Sequence, residues 1–168
     1  VDAIIHVIRC FEDENVLREE GAINPVSDKE IIDTELQLKD LDSVEKKMQR
    51  VEKQARVGSD AKAKAEFEVL QRCKKHLEEG KSIRSLGLDK EEKTAIADLF
   101  LLTDKPTLYV ANVDEGSMHT GNKFSEMLKA AVAQEKAEVI VMCNNIEAQI
   151  AEMEQEDDRM MFMEEYGM

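Results

Sequence analysis

The sequence predicts an α/β fold: a partial parallel sheet of three strands, with helices between them and an inserted antiparallel helical hairpin. Three observations carry this. Short apolar runs recur at residues 3–8, 107–111 and 138–143, separated by helical sequence, and that alternation belongs to parallel sheets with helices on their faces. Between the first two runs the apolar residues change to intervals of three and four, the spacing of a coiled-coil seam. The chain is 36% charged and only 4% aromatic, so much of its surface is solvated helix around a modest core.

The first strand is Ala3-Ile-Ile-His-Val-Ile8. After Asn24-Pro25, Asp28 is placed to cap a helix. Its apolar positions are Ile31, Ile32, Leu36, Leu38, Leu41, Val44, Met48, Val51 and Ala55, and from Leu41 onward they follow the seam spacing. One continuous helix over 28–56 would be about 43 Å long at 1.5 Å per residue, so it projects beyond a sheet body. Val57-Gly-Ser-Asp60 then turns the chain, and Ala63, Phe67, Leu70, Cys73 and Leu77 form a return stripe that stops at Gly80. The predicted division is a helical coiled-coil arm over 41–85 and a sheet body over 1–40 and 86–168. A helix over 89–100, with Ile96, Leu99 and Phe100, returns the chain to the second strand. Phe124, Met127, Leu128, Ala131 and Val132 then predict an amphipathic helix on the sheet. After the third strand, Glu138-Val-Ile-Val-Met-Cys143, one or two helices over 147–165 carry Ile150, Met153, Met160 and Met163 as apolar positions.

The net charge of -14 hides an asymmetry. Residues 45–81 hold 11 Lys and Arg against 7 Asp and Glu, a local +4, which leaves -18 on the remainder. A basic projection on an acidic body points to contact with a polyanion, and Lys46, Lys47, Lys53, Lys62 and Lys64 are the candidate contacts. Cys10, Cys73 and Cys143 are scattered, which argues against disulfides and zinc and predicts buried thiols. With no apolar stretch near the roughly 20 residues that span a bilayer, the expectation is a soluble, cytoplasmic chain.

The stretch with most chemical content is Pro106-Thr-Leu-Tyr-Val-Ala-Asn-Val-Asp-Glu115. It reads as a strand covered on both faces that delivers Asn112 and Glu115 to its carboxyl end, where parallel sheets bind ligands. In P-loop GTPases that place holds Asn-Lys-x-Asp, whose aspartate accepts from guanine's ring imino and exocyclic amino groups. Here the lysine place is Val113 and the aspartate place is Glu115. The longer acid moves its oxygens outward and adenine lacks guanine's donor pair, so guanine preference is weakened and ATP becomes at least as good a ligand as GTP. A capped surface turn is the plainer reading of the same four residues.

Gly80-Lys81-Ser82 imitates the end of a phosphate-binding loop, but Lys75 stands where its first glycine should be and a helix precedes it, so it predicts a helix-terminating turn. No Asp-x-x-Gly occurs in the chain. His6, His76 and His119 share no ligand spacing, and no residue is assigned a catalytic or metal-binding role. The nine methionines are read chiefly as core packing.

Taken together, several stretches resemble the Obg-like ATPase family, known in bacteria as YchF. They are His6-Val-Ile-Arg-Cys-Phe-Glu-Asp13, Asn24-Pro25 with Asp28 and Glu30-Ile-Ile32, the run 34–47 that begins Thr-Glu-Leu-Gln-Leu-Lys, Leu101-Leu-Thr-Asp-Lys-Pro106, residues 112–115, and Ile146-Glu-Ala-Gln-Ile-Ala-Glu152. The resemblance implies a TRAFAC-class P-loop NTPase G domain, interrupted by a coiled coil, that hydrolyses ATP and less readily GTP with Mg2+ and associates with the ribosome. It places Asn112, Val113 and Glu115 at the purine and the backbone of Cys143, Asn144 and Asn145 in a second base-facing loop. Asn144-Asn145 and Arg18-Glu-Glu20 depart from the family's usual residues. The resemblance also implies that the P-loop and magnesium-binding segments precede Val1 and a TGS domain follows Met168, so that this central fragment is catalytically inactive alone. An unpaired edge along residues 3–9 is then expected to invite self-association. The alternative function is a binding module whose basic hairpin docks on ribosomal RNA or a protein.

Overall fold

The computed structural model describes residues 1–13, 21–57, 61–135 and 137–168, without the side chains of 53–57. Residues 18–20 and 58–60 of the sequence reading therefore lie outside the described residues. In chain order the elements are β1 (Ile4–Arg9), α1 (Pro25–Val57), α2 (Ala61–Glu78), α3 (Lys90–Ile96), β2 (Thr107–Asn112), α4 (Lys123–Val132), β3 (Glu138–Met142), α5 (Asn144–Glu152) and α6 (Glu156–Glu165).

The α/β class and the three-stranded parallel sheet stand as expected. The strand order is β1-β2-β3, and β2 pairs with β3 in a register running from Leu108 opposite Glu138 to Asn112 opposite Met142. At the two ends of β1, Ile4 N donates to Pro106 O at 2.9 Å and Cys10 N to Asn112 O at 2.7 Å. Parallel neighbours need a long crossover, and α4 is the crossover from β2 to β3.

Contacts divide the chain into two compact units, Val1–Ile4 with Lys29–Thr107, and Ile5–Asp28 with Leu108–Met168. In the second unit, Tyr109, Ala111 and Val113 alternate along one face of β2 and meet Phe124, Leu128 and Val132 of α4, with Ile8 and Cys10 beside them. Val110, on the opposite face, is also buried, as the central strand of a sheet requires. Tyr109 keeps its hydroxyl satisfied by donating to Glu135 Oε2 at 2.8 Å. Met127 turns outward, off the α4 stripe.

In the first unit one core joins Val44 and Val51 of α1, Val69, Leu70, Cys73 and Leu77 of α2, and Ile83, Leu88, Ile96 and Leu101 beyond them. Polar pairs run in opposite order along the two long helices: Gln37 donates to Gly80 O at 3.1 Å, Lys74 meets Glu45 at 2.6 Å, and Lys47 meets Glu66 at 2.6 Å. The α2 end is set by Gly80, whose φ of 71° lets Gly80 N donate to Leu77 O and Lys81 N to His76 O. These are the two bonds of a Schellman end, so Gly80-Lys81-Ser82 terminates a helix.

Four local expectations are corrected. The α1 cap is Asn24, whose Oδ1 accepts from Ser27 N at 3.2 Å, because Pro25 starts the helix where a missing N–H costs nothing; Asp28 falls inside the first turn. Ile31, Ile32 and Leu38 are exposed, and the buried positions flanking them are Lys29 and Asp40. The helix after Asp89 ends at Ile96, passes into a 3-10 turn, and stops at Phe100, which takes a φ of 49° and lies 75% exposed. Met160 is exposed, and the buried anchor of the carboxy-terminal helices is Ile146 of α5.

Asp40 explains why a carboxylate can sit in the first unit's interior. Its oxygens accept from Leu102 N at 2.8 Å, Thr103 N at 2.7 Å and Thr103 Oγ1 at 2.7 Å, fixing the turn that launches β2. Replacing it with Ala leaves those donors unpaired, which costs about 2–4 kcal/mol. Urea denaturation should show that loss for Asp40→Ala and a smaller one for Asp40→Asn, which keeps one acceptor.

Candidate functional site

The β2–β3 register decides what the site can contain. Because Asn112 lies opposite Met142, the residue two places beyond Met142 begins α5 beside the end of β2. Cys143 precedes that helix with no side-chain cap of its own. The missing acceptor comes from the neighbouring strand, as Asn112 Oδ1 accepts from Asn144 N at 3.0 Å. Val113 N extends the ladder one step by donating to Met142 O at 3.0 Å.

Beyond this tie the chain makes a short 3-10 turn over Glu115–Ser117. Ser117 donates its N–H to Asp114 O at 3.1 Å and its hydroxyl to Asp114 Oδ1 at 2.9 Å, which fixes the turn. A second bridge then joins the two loops: Asn145 Nδ2 donates to Glu115 Oε1 at 3.2 Å. Asn112 and Glu115 thus each hold one residue of the Asn144-Asn145 pair.

These residues border a cleft of about 570 Å³ whose wall also includes Phe11, Glu12, Asp13, Asp114 and Cys143. Sequence reasoning had placed Asn112, Val113, Glu115, Cys143, Asn144 and Asn145 here. Five of them line the cleft, while Asn144 contributes its backbone N–H to the tie. Val113 is buried and belongs to the core as much as to the cleft. The cleft's aromatic group, Phe11, was missed; the signal available was its position three residues past the end of the first apolar run. Arg9 organises that segment by donating from Nε to Phe11 O at 3.1 Å and from Nη2 to Asp13 O at 3.2 Å. Its guanidinium lies 4.8 Å from the Phe11 ring centroid, a cation–π contact that steadies the ring.

The neighbouring helix is set with equal care. Asn122 caps α4 by accepting from Phe124 N and Ser125 N, both at 3.0 Å, and donates to Cys10 O at 2.7 Å. Gly121 takes a φ of 70°, and a Cβ there would come within 2.6 Å of Ser125 Oγ. Only glycine fits.

The cleft's chemistry is one-sided. Four carboxylates, Glu12, Asp13, Asp114 and Glu115, share its wall with two carboxamides and no lysine or arginine. Such a lining repels phosphate and suits amino groups and ring N–H donors. Behind the cleft, burial, with Asp28 nearby, pushes the Cys10 thiol up to about 11. Among the described residues no group of three His, Cys, Asp or Glu side chains is placed to hold a metal ion. Among the same residues no helix is long and apolar enough to cross a membrane.

The five lysines assigned to the basic arm do not share one environment. Lys62 and Lys64 are exposed, and Lys46 is exposed with Asp42 at 2.7 Å. Lys47 turns inward and is buried, within 2.6 Å of Glu66 and 2.5 Å of Asp98, and it donates to Ala95 O at 2.7 Å. Burial works to lower the pKa of its ammonium, but the hydrogen bonds to Asp98 and Glu66 outweigh that and raise it. Its charge is neutralised inside the unit. The side chain of Lys53 lies outside the described residues.

No protein-family profile matches the chain. It is 44% identical over 167 residues to the ribosome-binding ATPase YchF of Escherichia coli O157:H7, an alignment that covers 99% of this chain and 45% of that protein. The Bacillus subtilis protein of the same name is also 44% identical, over 169 residues. Obg-like ATPase 1 of Oryza sativa subsp. indica is 38% identical over 143 residues, which is 84% of this chain and 36% of that protein. The solved structure of the Schizosaccharomyces pombe YchF GTPase superposes with a TM-score of 0.84 at 27% identity, covering 99% of this chain and 46% of that one. The chain thus spans about 45% of the length of the bacterial relatives it matches. With near-complete alignment at this identity and the same fold, the chain belongs to the YchF and Obg-like ATPase family and corresponds to one part of its members.

Proposed function

We propose that this chain supplies the base-reading half and a helical arm of a nucleoside-triphosphate hydrolase that works at the ribosome. The observation that carries this reading is the cleft at the ends of β2 and β3. Asn112 and Glu115 border it and are tied to the opposite loop, in the place where parallel sheets take their ligands. Its acidic lining is suited to a purine's amino groups and unsuited to phosphates, so phosphate and Mg2+ would be held by other segments of a whole family protein. The relatives' names supply the ribosome and the choice between ATP and GTP.

The chain alone is then a binder without turnover. Its 168 residues contain neither Gly-x-x-x-x-Gly-Lys-Ser/Thr nor Asp-x-x-Gly, and positioned phosphates with their metal supply nearly all of phosphoryl-transfer catalysis. Incubated with ATP and Mg2+, it should release phosphate no faster than the buffer, while AMP at millimolar concentration shifts the amide resonances of Asn112, Val113 and Glu115. In Asn112→Ala the tie to Asn144 is lost, and AMP binding should weaken about tenfold. Metal-dependent hydrolysis by this chain would overturn the inactive reading; unmoved resonances would overturn the base-reading one.

The arm, over 41–85, is proposed to dock on ribosomal RNA through Lys46, Lys53, Lys62 and Lys64, with Lys47 left out because its charge is already neutralised by Glu66 and Asp98. Changing these four to Gln should weaken ribosome binding and flatten its dependence on salt. Binding that neither weakens nor loses salt dependence would exclude an electrostatic arm. A non-enzymatic module that docks by the same lysines shares this outcome and differs in leaving the cleft blind to AMP.

A second copy of the chain is a further proposed partner. The β1 side chains Ile5 and Val7 are 66% and 52% exposed, an apolar edge of the kind that associates. Sedimentation should show a concentration-dependent dimer that is lost in Ile5→Lys; a monomer at high concentration would refute it.

A further inference from the structure

We infer that Asn145 sets the purine preference of the cleft, favouring adenine over guanine by what it does to Glu115. The inference rests on the base-reading function proposed above and adds a selecting residue to it.

The geometry is specific on one point. A carboxylate only accepts hydrogen bonds, so the Asn145 carboxamide must turn its nitrogen toward Glu115 Oε1, 3.2 Å away. Its carbonyl oxygen is the part left for a ligand. Both residues line the same cleft, so a purine edge there meets an amide oxygen beside a carboxylate whose one oxygen is already engaged.

Guanine and adenine fare differently against that pair. Guanine binds a carboxylate best by presenting its ring N–H and amino group to both oxygens at once, and Asn145 competes for one of them. Guanine's carbonyl would also face the Asn145 oxygen, acceptor against acceptor. Adenine instead presents a single amino donor, which the Asn145 oxygen and the unengaged Glu115 oxygen can both accept. The residue therefore works in two ways: it holds Glu115 away from the paired geometry, and it offers an acceptor where adenine has a donor and guanine has only a second acceptor. The Asn112 oxygen takes no part in the selection, because it is committed to Asn144 N.

The test is a comparison of AMP and GMP, titrated separately into the 168-residue chain and followed by amide and side-chain carboxamide resonances. The wild-type chain should prefer AMP, with the Asn145 NH2 signals among those that move. In Asn145→Ala the AMP-to-GMP affinity ratio should fall about fivefold to tenfold, the worth of about one hydrogen bond. Asn145→Asp keeps the size, loses the donor and repels Glu115, and should lower the ratio as well. In a Glu115→Ala background the substitution Asn145→Ala should change the ratio less, since only the direct acceptor for adenine is then lost. A general loss of structure would weaken both nucleotides together and leave the ratio where it was. An unchanged ratio in Asn145→Ala, with AMP still bound, overturns the selecting role and leaves the base-reading function standing. Failure of both AMP and GMP to bind the wild-type chain overturns the two together.

Discussion

Parallel pairing of β2 with β3 is the constraint on which the candidate site depends. In a parallel ladder both strands end on the same side, so the loops that follow them are neighbours wherever the register puts them level. With Asn112 opposite Met142, a slip of one residue would move Tyr109, Ala111 and Val113 off the α4 face and expose them. Burial of that apolar face therefore fixes the register, and the register brings a carboxamide at the end of one strand to the first amide of the helix after the next. The core and the cleft are set by one alignment.

The same device recurs through the molecule. A short side chain with oxygen acceptors reaches the backbone N–H groups of a segment just beginning: Asp40 at Leu102 and Thr103, Asp89 at Glu91 and Glu92, Asn122 at Phe124 and Ser125, Asn112 at Asn144. Helix and turn beginnings leave donors that must be met. Where the acceptor is local, it only stops the segment fraying. At Asp40 and Asn112 the acceptor lies 62 or more and 32 residues away in sequence, so satisfying the donor also locks a distant part of the chain in place. A chain with few aromatic residues and small cores is held in register this way as well as by apolar burial.

What the sequence could reveal followed from where each signal is stored. The strands were legible because a buried strand is a compact apolar run, and Asn112 and Glu115 because they sit just past one. The stripe from Leu41 to Val51 was legible by spacing. Ile31 and Leu38 continue that spacing and are exposed all the same, because periodicity names a helix face without saying whether anything lies against it. Lys47 looked like its neighbour Lys46; only the tertiary placement of Glu66 and Asp98 separates an inward cation from an outward one. The α1 boundary was missed by four residues because Asn24 and Asp28 are both acceptable caps, and it is Pro25, tolerated at the first helical position, that decides between them. Phe11 escaped because its place three residues past the first apolar run gains meaning only once the neighbouring loop is in view.

Gly121 and Ser125 bind two positions into one evolutionary choice. The hydroxyl that would collide with any side chain at 121 is the one that completes the α4 cap by accepting from Asn122 N at 2.8 Å. A lineage that gains even a methyl group at the first position must therefore surrender the second, and with it half of the reciprocal cap. Neither single step is neutral, so the pair should drift in tandem, and a descendant carrying alanine in the turn should be found with a helix that starts later or starts differently.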